Sequence, residues 1–237
     1  MSAIFWKEVK AYFYSPMAYI LIGLFMLITS IYFYPNLVYG PYGVADFNNT
    51  LSIMGFILLF IVPVLTMRIL AEERKNGTEV LLITSPASIT SIVLGKYFGA
   101  CFVFFVMILL SFIYPIVLLA FGGTFTVKII GGYIGFILLG MTFISVGVFA
   151  SSLTESQVVA VIISYVALLI MWIADSLTTV VGGFASKILG WISLLSRYED
   201  FNRGILGIGP VVYYMSFIAV FLFLTVRVIE KRRWSQG

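Results

Sequence analysis

Six apolar runs, each without Asp, Glu, Lys or Arg in its interior, constrain this chain more than any other feature. They lie near 17–34, 52–69, 97–121, 129–150, 158–174 and 210–226. A bilayer core takes about 20 residues of helix to cross, so each run reads as a membrane span. Only 10% of residues are charged, against about 25% in soluble domains, and the mean hydropathy is +1.12. No polar stretch is long enough for a separate soluble domain. The expected fold is therefore all-α: a polytopic membrane protein with six transmembrane helices, one transmembrane domain over residues 1–237.

Several classes of chemistry lose support. The net charge is only +4, and the aromatics lie inside apolar runs rather than among exposed basic residues, so no nucleic-acid partner is expected. Cys101 stands alone within an apolar run and reads as a packing residue. Histidine, the commonest metal ligand and general base, is absent. Charge-free span interiors argue against a proton- or sodium-coupled carrier and against an intramembrane aspartyl protease. No G-x-x-x-x-G-K-[ST] phosphate loop occurs, Gly95-Lys96 lacking the rest of it. We see no internal repeat, which removes support for an inverted-repeat carrier.

Residues 3–14 put Phe5, Val9 and Tyr12 on one helical face and Lys7, Lys10 and Tyr14 on the other. That is the pattern of a helix lying in the interface. A signal peptide is the competing reading; the long apolar stretch and the absence of a small-x-small pattern near Tyr34-Pro35-Asn36 argue against it. Residues 35–51 have loop composition. Pro63 is expected to kink span 2, and Pro115 lies near the far end of span 3. Gly95/Gly99 and Gly131/Gly135 form Gly-x-x-x-Gly pairs, which permit close helix approach but are common in membrane helices. Residues 175–209 are too polar to span and too apolar for a free loop. Either two re-entrant short helices or a surface loop with an interfacial helix fits them.

Basic residues cluster with the termini: Lys7, Lys10, Arg68, Arg74, Lys75, Lys96, Arg227, Lys231, Arg232 and Arg233 on one side, Lys128, Lys187, Arg197 and Arg203 on the other. The positive-inside rule then predicts cytoplasmic termini. Asn48-Asn49-Thr50 and Asn76-Gly77-Thr78 match the glycosylation acceptor pattern, the second on the expected cytoplasmic side, where it carries no meaning.

The densest charge cluster, Glu72, Glu73, Arg74, Lys75 and Glu79, falls between spans 2 and 3. It reads as a helical continuation of span 2 that Asn76-Gly77 ends, with Gly77 in the left-handed position. Thr78 can cap a new short helix from Glu79; Val80, Leu81, Leu82 and Ile83 give it an apolar side, and Ser85-Pro86 ends it. On residues alone, an ordinary solvated loop fits as well.

This stretch resembles the first cytoplasmic loop of ABC-2 type transporter permeases at Glu73, Gly77, Thr78, Glu79, Leu81, Leu82, Thr84 and Pro86. Residues 3–14 resemble the family's elbow helix. Residues 196–204 are similar to its H-F-x-x-x-x-R-G motif before the last span, with Arg197, Tyr198, Phe201, Arg203 and Gly204, although this sequence departs from the usual His-Phe there. The likeness covers nearly the whole chain and comes nearest to the gliding-motility-associated branch. The resemblance implies a multi-pass bacterial cell-membrane permease, cytoplasmic at both ends, exporting a lipid, drug or other amphiphile. It implies a coupling loop at 70–95 and an extracytoplasmic segment at 175–209. Its implied partners are two ABC ATPase subunits, a second permease copy or a related permease, and an accessory membrane or extracytoplasmic subunit. The chain itself would be no enzyme and hold no cofactor; ATP and Mg would be used by the partner ATPase. ATPase coupling would fall to Glu72, Glu73, Arg74, Gly77, Thr78, Glu79, Leu81, Leu82 and Pro86. The competing reading is a non-transporting scaffold that docks a cytoplasmic protein.

Overall fold

The computed structural model describes residues 1–39, 47–79, 87–121, 127–178, 190 and 193–235. Among these, the ordered elements are all helical: α1 (Ser2–Tyr14), α2 (Pro16–Tyr39), α3 (Phe47–Thr66), α4 (Arg68–Lys75), α5 (Ile89–Ser111), α6 (Ile113–Ala120), α7 (Val127–Leu153), α8 (Gln157–Thr178), α9 (Leu195–Asn202) and α10 (Ile208–Ser235). Six stretches are long and apolar enough to cross a membrane: Pro16–Pro35, Phe47–Lys75, Ile89–Ala120, Lys128–Leu153, Gln157–Ala174 and Ile208–Arg232. Each contains one of the six apolar runs.

The helix α7 forms the centre of the bundle, packed by α3, α5, α8, α9 and α10. Its apolar stretch is 72% buried and that of α3–α4 67%, against 28% for the spans in α2, α8 and α10. These last three therefore leave most of their apolar surface to lipid or to another protein. Glycines set the close approaches. A methyl group on Gly99 would lie 2.7 Å from Glu8 Cβ, and one on Gly95 2.9 Å from Ile4 Cγ2, so the first Gly-x-x-x-Gly pair is the seat of α1. The second seats Phe201: a methyl on Gly135 would stand 2.6 Å from its Cβ. Small residues that let backbones approach substitute in lipid for the missing hydrophobic drive.

Helix breaks follow local chemistry. Pro63 lies inside α3, and the helix is interrupted one turn later, at Met67. There the Ser151 hydroxyl from α7 enters the gap, donating to Met67 O (3.0 Å) and accepting from Leu70 N and Ala71 N (3.1 Å each). A side chain inserted in the ladder is a recognised cause of a break. Pro115 has no N–H for Ser111 O, and Tyr133 Oη donates to that carbonyl at 3.1 Å. Ser88 caps α5 by accepting from Ser91 N. The third span thus begins at Ile89, not near 97, and Lys96 lies within it. The expectation of charge-free span interiors fails at this residue.

Candidate functional site

One end of the bundle gathers the charged side chains, and α4 is its axis. The helix ends in a Schellman motif, with Gly77 N donating to Arg74 O (3.1 Å), Thr78 N to Glu73 O (2.9 Å), and Gly77 at φ 70°. The expected stop at Asn76-Gly77 is where the helix ends. The Thr78 hydroxyl points back, donating to Glu73 O at 3.2 Å. Leu81, Leu82 and Pro86, with the rest of 80–86, lie outside the described residues.

From this axis and the turn that ends it, ties run to α1, α5, α10 and the α7–α8 link. Glu73 meets Lys7 of α1 through Oε1 (3.3 Å) and Lys96 of α5 through Oε2 (2.9 Å). Lys96 is 1% exposed; its Nζ also meets Glu8 Oε1 at 2.6 Å and donates to Ile69 O at 2.9 Å. Arg68 donates to Ala11 O (2.9 Å) and Ser15 Oγ (3.3 Å) and lies 4.5 Å from the centre of the Tyr12 ring. Tyr12 in turn donates to Leu65 O at 2.7 Å. Burial, with the Glu8 carboxylate adding, holds its phenol well above the ordinary tyrosine range, so it remains a donor. Arg74 pairs with Glu155 between α7 and α8 (2.8 Å), and Glu79 with Arg232 of α10 (3.3 Å). Arg232 also donates to Ser152 O. Glu72 is half-buried on the same helix. Glu8, Lys96, Ser151, Glu155 and Arg232 join the site without having been singled out for it in the sequence.

These ties are not equal. The Arg74–Glu155 pair is largely solvated, Glu155 being 60% exposed, and such pairs contribute about 0–1 kcal/mol. Arg74→Ala should therefore change thermal stability in detergent by less than about 1 kcal/mol, which a melting curve checks. The Lys96 cluster is buried, and removing one partner there strands an uncompensated charge.

At the opposite end, α9 holds the second predicted motif. Tyr198 is buried and donates to Leu51 O at 2.7 Å; burial raises its phenol well above the usual value. Phe201 is fully buried on Gly131 and Gly135. Arg197 lies 3.7 Å from the Tyr213 ring centre and donates to Ser193 O (2.9 Å) and Gly190 O (3.2 Å). Arg203 pairs with the exposed Glu199 (3.2 Å). Gly204, at φ 83°, closes α9 with a second Schellman motif, Gly204 N to Phe201 O and Ile205 N to Asp200 O, both 2.9 Å. Asn202 Nδ2 donates to Asn48 O (3.1 Å), which ties α9 to the start of α3. In the 175–209 segment, for which the sequence leaves two re-entrant helices and a loop with one interfacial helix both open, α9 is described, while 179–189 lie outside the described residues.

Grooves on the flanks are apolar. One of 770 Å³ runs between α2, α3 and α8, past Leu24, Phe56, Phe60 and Tyr165. The hydroxyls of Thr142, Ser145 and Ser152 on α7 are buried and donate to carbonyls of their own helix.

A family model described as ABC-2 family transporter protein matches residues 39–229. No curated protein matches the chain.

Proposed function

The chain belongs to the ABC-2 family of transporter membrane proteins, and from that premise we propose that it forms half of the membrane-crossing part of an ATP-driven exporter. ABC-2 proteins are the membrane component of such transporters and work with ABC ATPase subunits. The whole of 1–237 acts as one transmembrane domain, and two copies, or this chain and a related permease, complete the passage. Two ATPase subunits, using ATP and Mg, sit beneath residues 72–86, with both termini on the same cytoplasmic face of a bacterial cell membrane. The gliding-motility-associated branch is the nearest sub-family by motif. An accessory subunit would meet the face formed by α9.

The observation that carries this reading is the build of α4. It is a short helix held by charged ties to α1, α5, α10 and the α7–α8 link, and a left-handed glycine releases the chain beyond it. A segment that must take a push from a soluble subunit needs such a stiff, wet collar. The apolar run 80–83 supplies the tip, with Leu81 and Leu82 as anchors and Pro86 as its end. Most of the energy of such a contact resides in a few residues. Apolar flanks and the 770 Å³ groove suit a lipid, drug or other amphiphile as cargo, moved outward.

The test is affinity purification of the tagged chain in mild detergent. Co-elution of a nucleotide-binding subunit, lost on Leu82→Asp, is the expected result. A preparation in which no such subunit co-elutes, and a cytoplasmic protein without ATPase activity does, would favour the scaffold reading instead.

A further inference from the structure

The geometry points to Lys96 as a positioning residue that makes α1 a moving part of the lever rather than a passive float on the membrane surface. This inference rests on the coupling role proposed for α4.

Lys96 is almost wholly buried at the junction of three helices that are distant in sequence. Its ammonium meets Glu8 of α1 and Glu73 of α4, and it donates to Ile69 O at the start of α4. Three charges of the cluster lie on three separate elements, so moving α1 or α4 away from α5 breaks an ion pair to the buried Lys96. Lys7 adds a second, exposed contact from α1 to Glu73. Directly below, Gly99 allows Glu8 Cβ against the α5 backbone, and Gly95 does the same for Ile4. Arg68 and Tyr12 close the other side, joining Ala11, Ser15 and Leu65. The end of α3–α4, the start of α5 and the whole of α1 are thereby one body.

Stability alone does not explain the arrangement. Replacing a buried ion cluster with apolar or neutral groups of like shape is often neutral or stabilising, whereas removing one partner is strongly destabilising. What the ions add is geometry: each pairing holds at one relative placement of the helices and is lost at others. A push on residues 76–79 is then delivered to α1, and through it to the start of α2, one residue beyond its end.

The two kinds of variant separate these roles. Lys96→Met leaves Glu8 and Glu73 without their buried cation, only the exposed Lys7 remaining beside Glu73, and the yield of folded protein should fall. The triple variant Glu8→Gln, Glu73→Gln, Lys96→Met removes every charge of the buried cluster and should restore folded yield and ATPase co-purification. Transport by the triple variant should nevertheless fall at least tenfold. Spin labels at the exposed positions Lys10, Lys75 and Phe121, placed pairwise in a Cys101→Ala background, read the motion. In the otherwise unaltered complex, nucleotide should shift both the Lys10–Phe121 and Lys75–Phe121 distances. In the triple variant only the second should shift. Wild-type transport by a well-folded triple variant overturns the inference, as does a Lys10 label that still follows Lys75 there. If Lys75 moves with nucleotide in the unaltered complex and Lys10 does not, this inference falls alone. If neither moves, the coupling role of α4 falls and this inference with it.

Discussion

Replacing Gly77 with proline is expected to abolish transport while leaving the protein in the membrane. Gly77 stands at φ 70° and gives its N–H to Arg74 O. Proline fixes φ near −65° and has no N–H to give, so the Schellman turn cannot form and the chain leaves α4 in another direction. Among the described residues, no atom beyond its chain neighbours lies within 4 Å of a methyl group added at Gly77. Gly77→Ala therefore tests conformation alone, and a left-handed cost of roughly 1–2 kcal/mol predicts partial loss. Gly77→Asn, which tolerates that region, should retain most activity. Leu82→Asp is expected to give the same transport defect by another route. A charge on the apolar tip should weaken the ATPase contact by about 2 kcal/mol or more, roughly 30-fold. Normal permease-stimulated ATP hydrolysis in both Gly77→Pro and Leu82→Asp would reject the coupling role of 72–86.

The second large effect belongs to the other end of the bundle. Phe201→Ala should lower stability by about 3 kcal/mol, because its ring is fully buried on the glycine face of α7. Gly135→Ala should destabilise as well, by about 1–3 kcal/mol from overpacking. The pair should not compensate, and the reason is geometric. A methyl on Gly135 meets Phe201 Cβ at 2.6 Å, and alanine at 201 keeps that atom. Melting curves of the two single variants and the double variant in one detergent decide this. A double variant more stable than either single variant would show that α9 shifts to make room and that its seat is soft.

The spans were legible because lipid leaves so few alternatives. An apolar run of about seventeen or more residues has little choice but to cross as a helix. The stop at Gly77 was legible too, since a left-handed glycine after a charged turn is a local matter. The Lys96 cluster was not. A lysine after an apolar run reads as a boundary, so span 3 was expected to begin beyond it, and nothing in one sequence pairs position 96 with position 8. Burial of that charge is decided by tertiary partners 88 and 23 positions away. The two Gly-x-x-x-Gly pairs stood between these cases. Their spacing was visible, but a close approach needs a named neighbour, and Ile4, Glu8 and Phe201 come from elements far along the chain. The break at Met67 escaped for the same reason: the proline is local, whereas the hydroxyl that opens the helix comes from Ser151.

That hydroxyl decides where a load goes. Because Ser151 serves both sides of the gap at Met67, α4 is grafted onto the central helix as firmly as onto its own span. Under the coupling role proposed for α4, a thrust from below would therefore reach the central helix α7 directly, as well as α1.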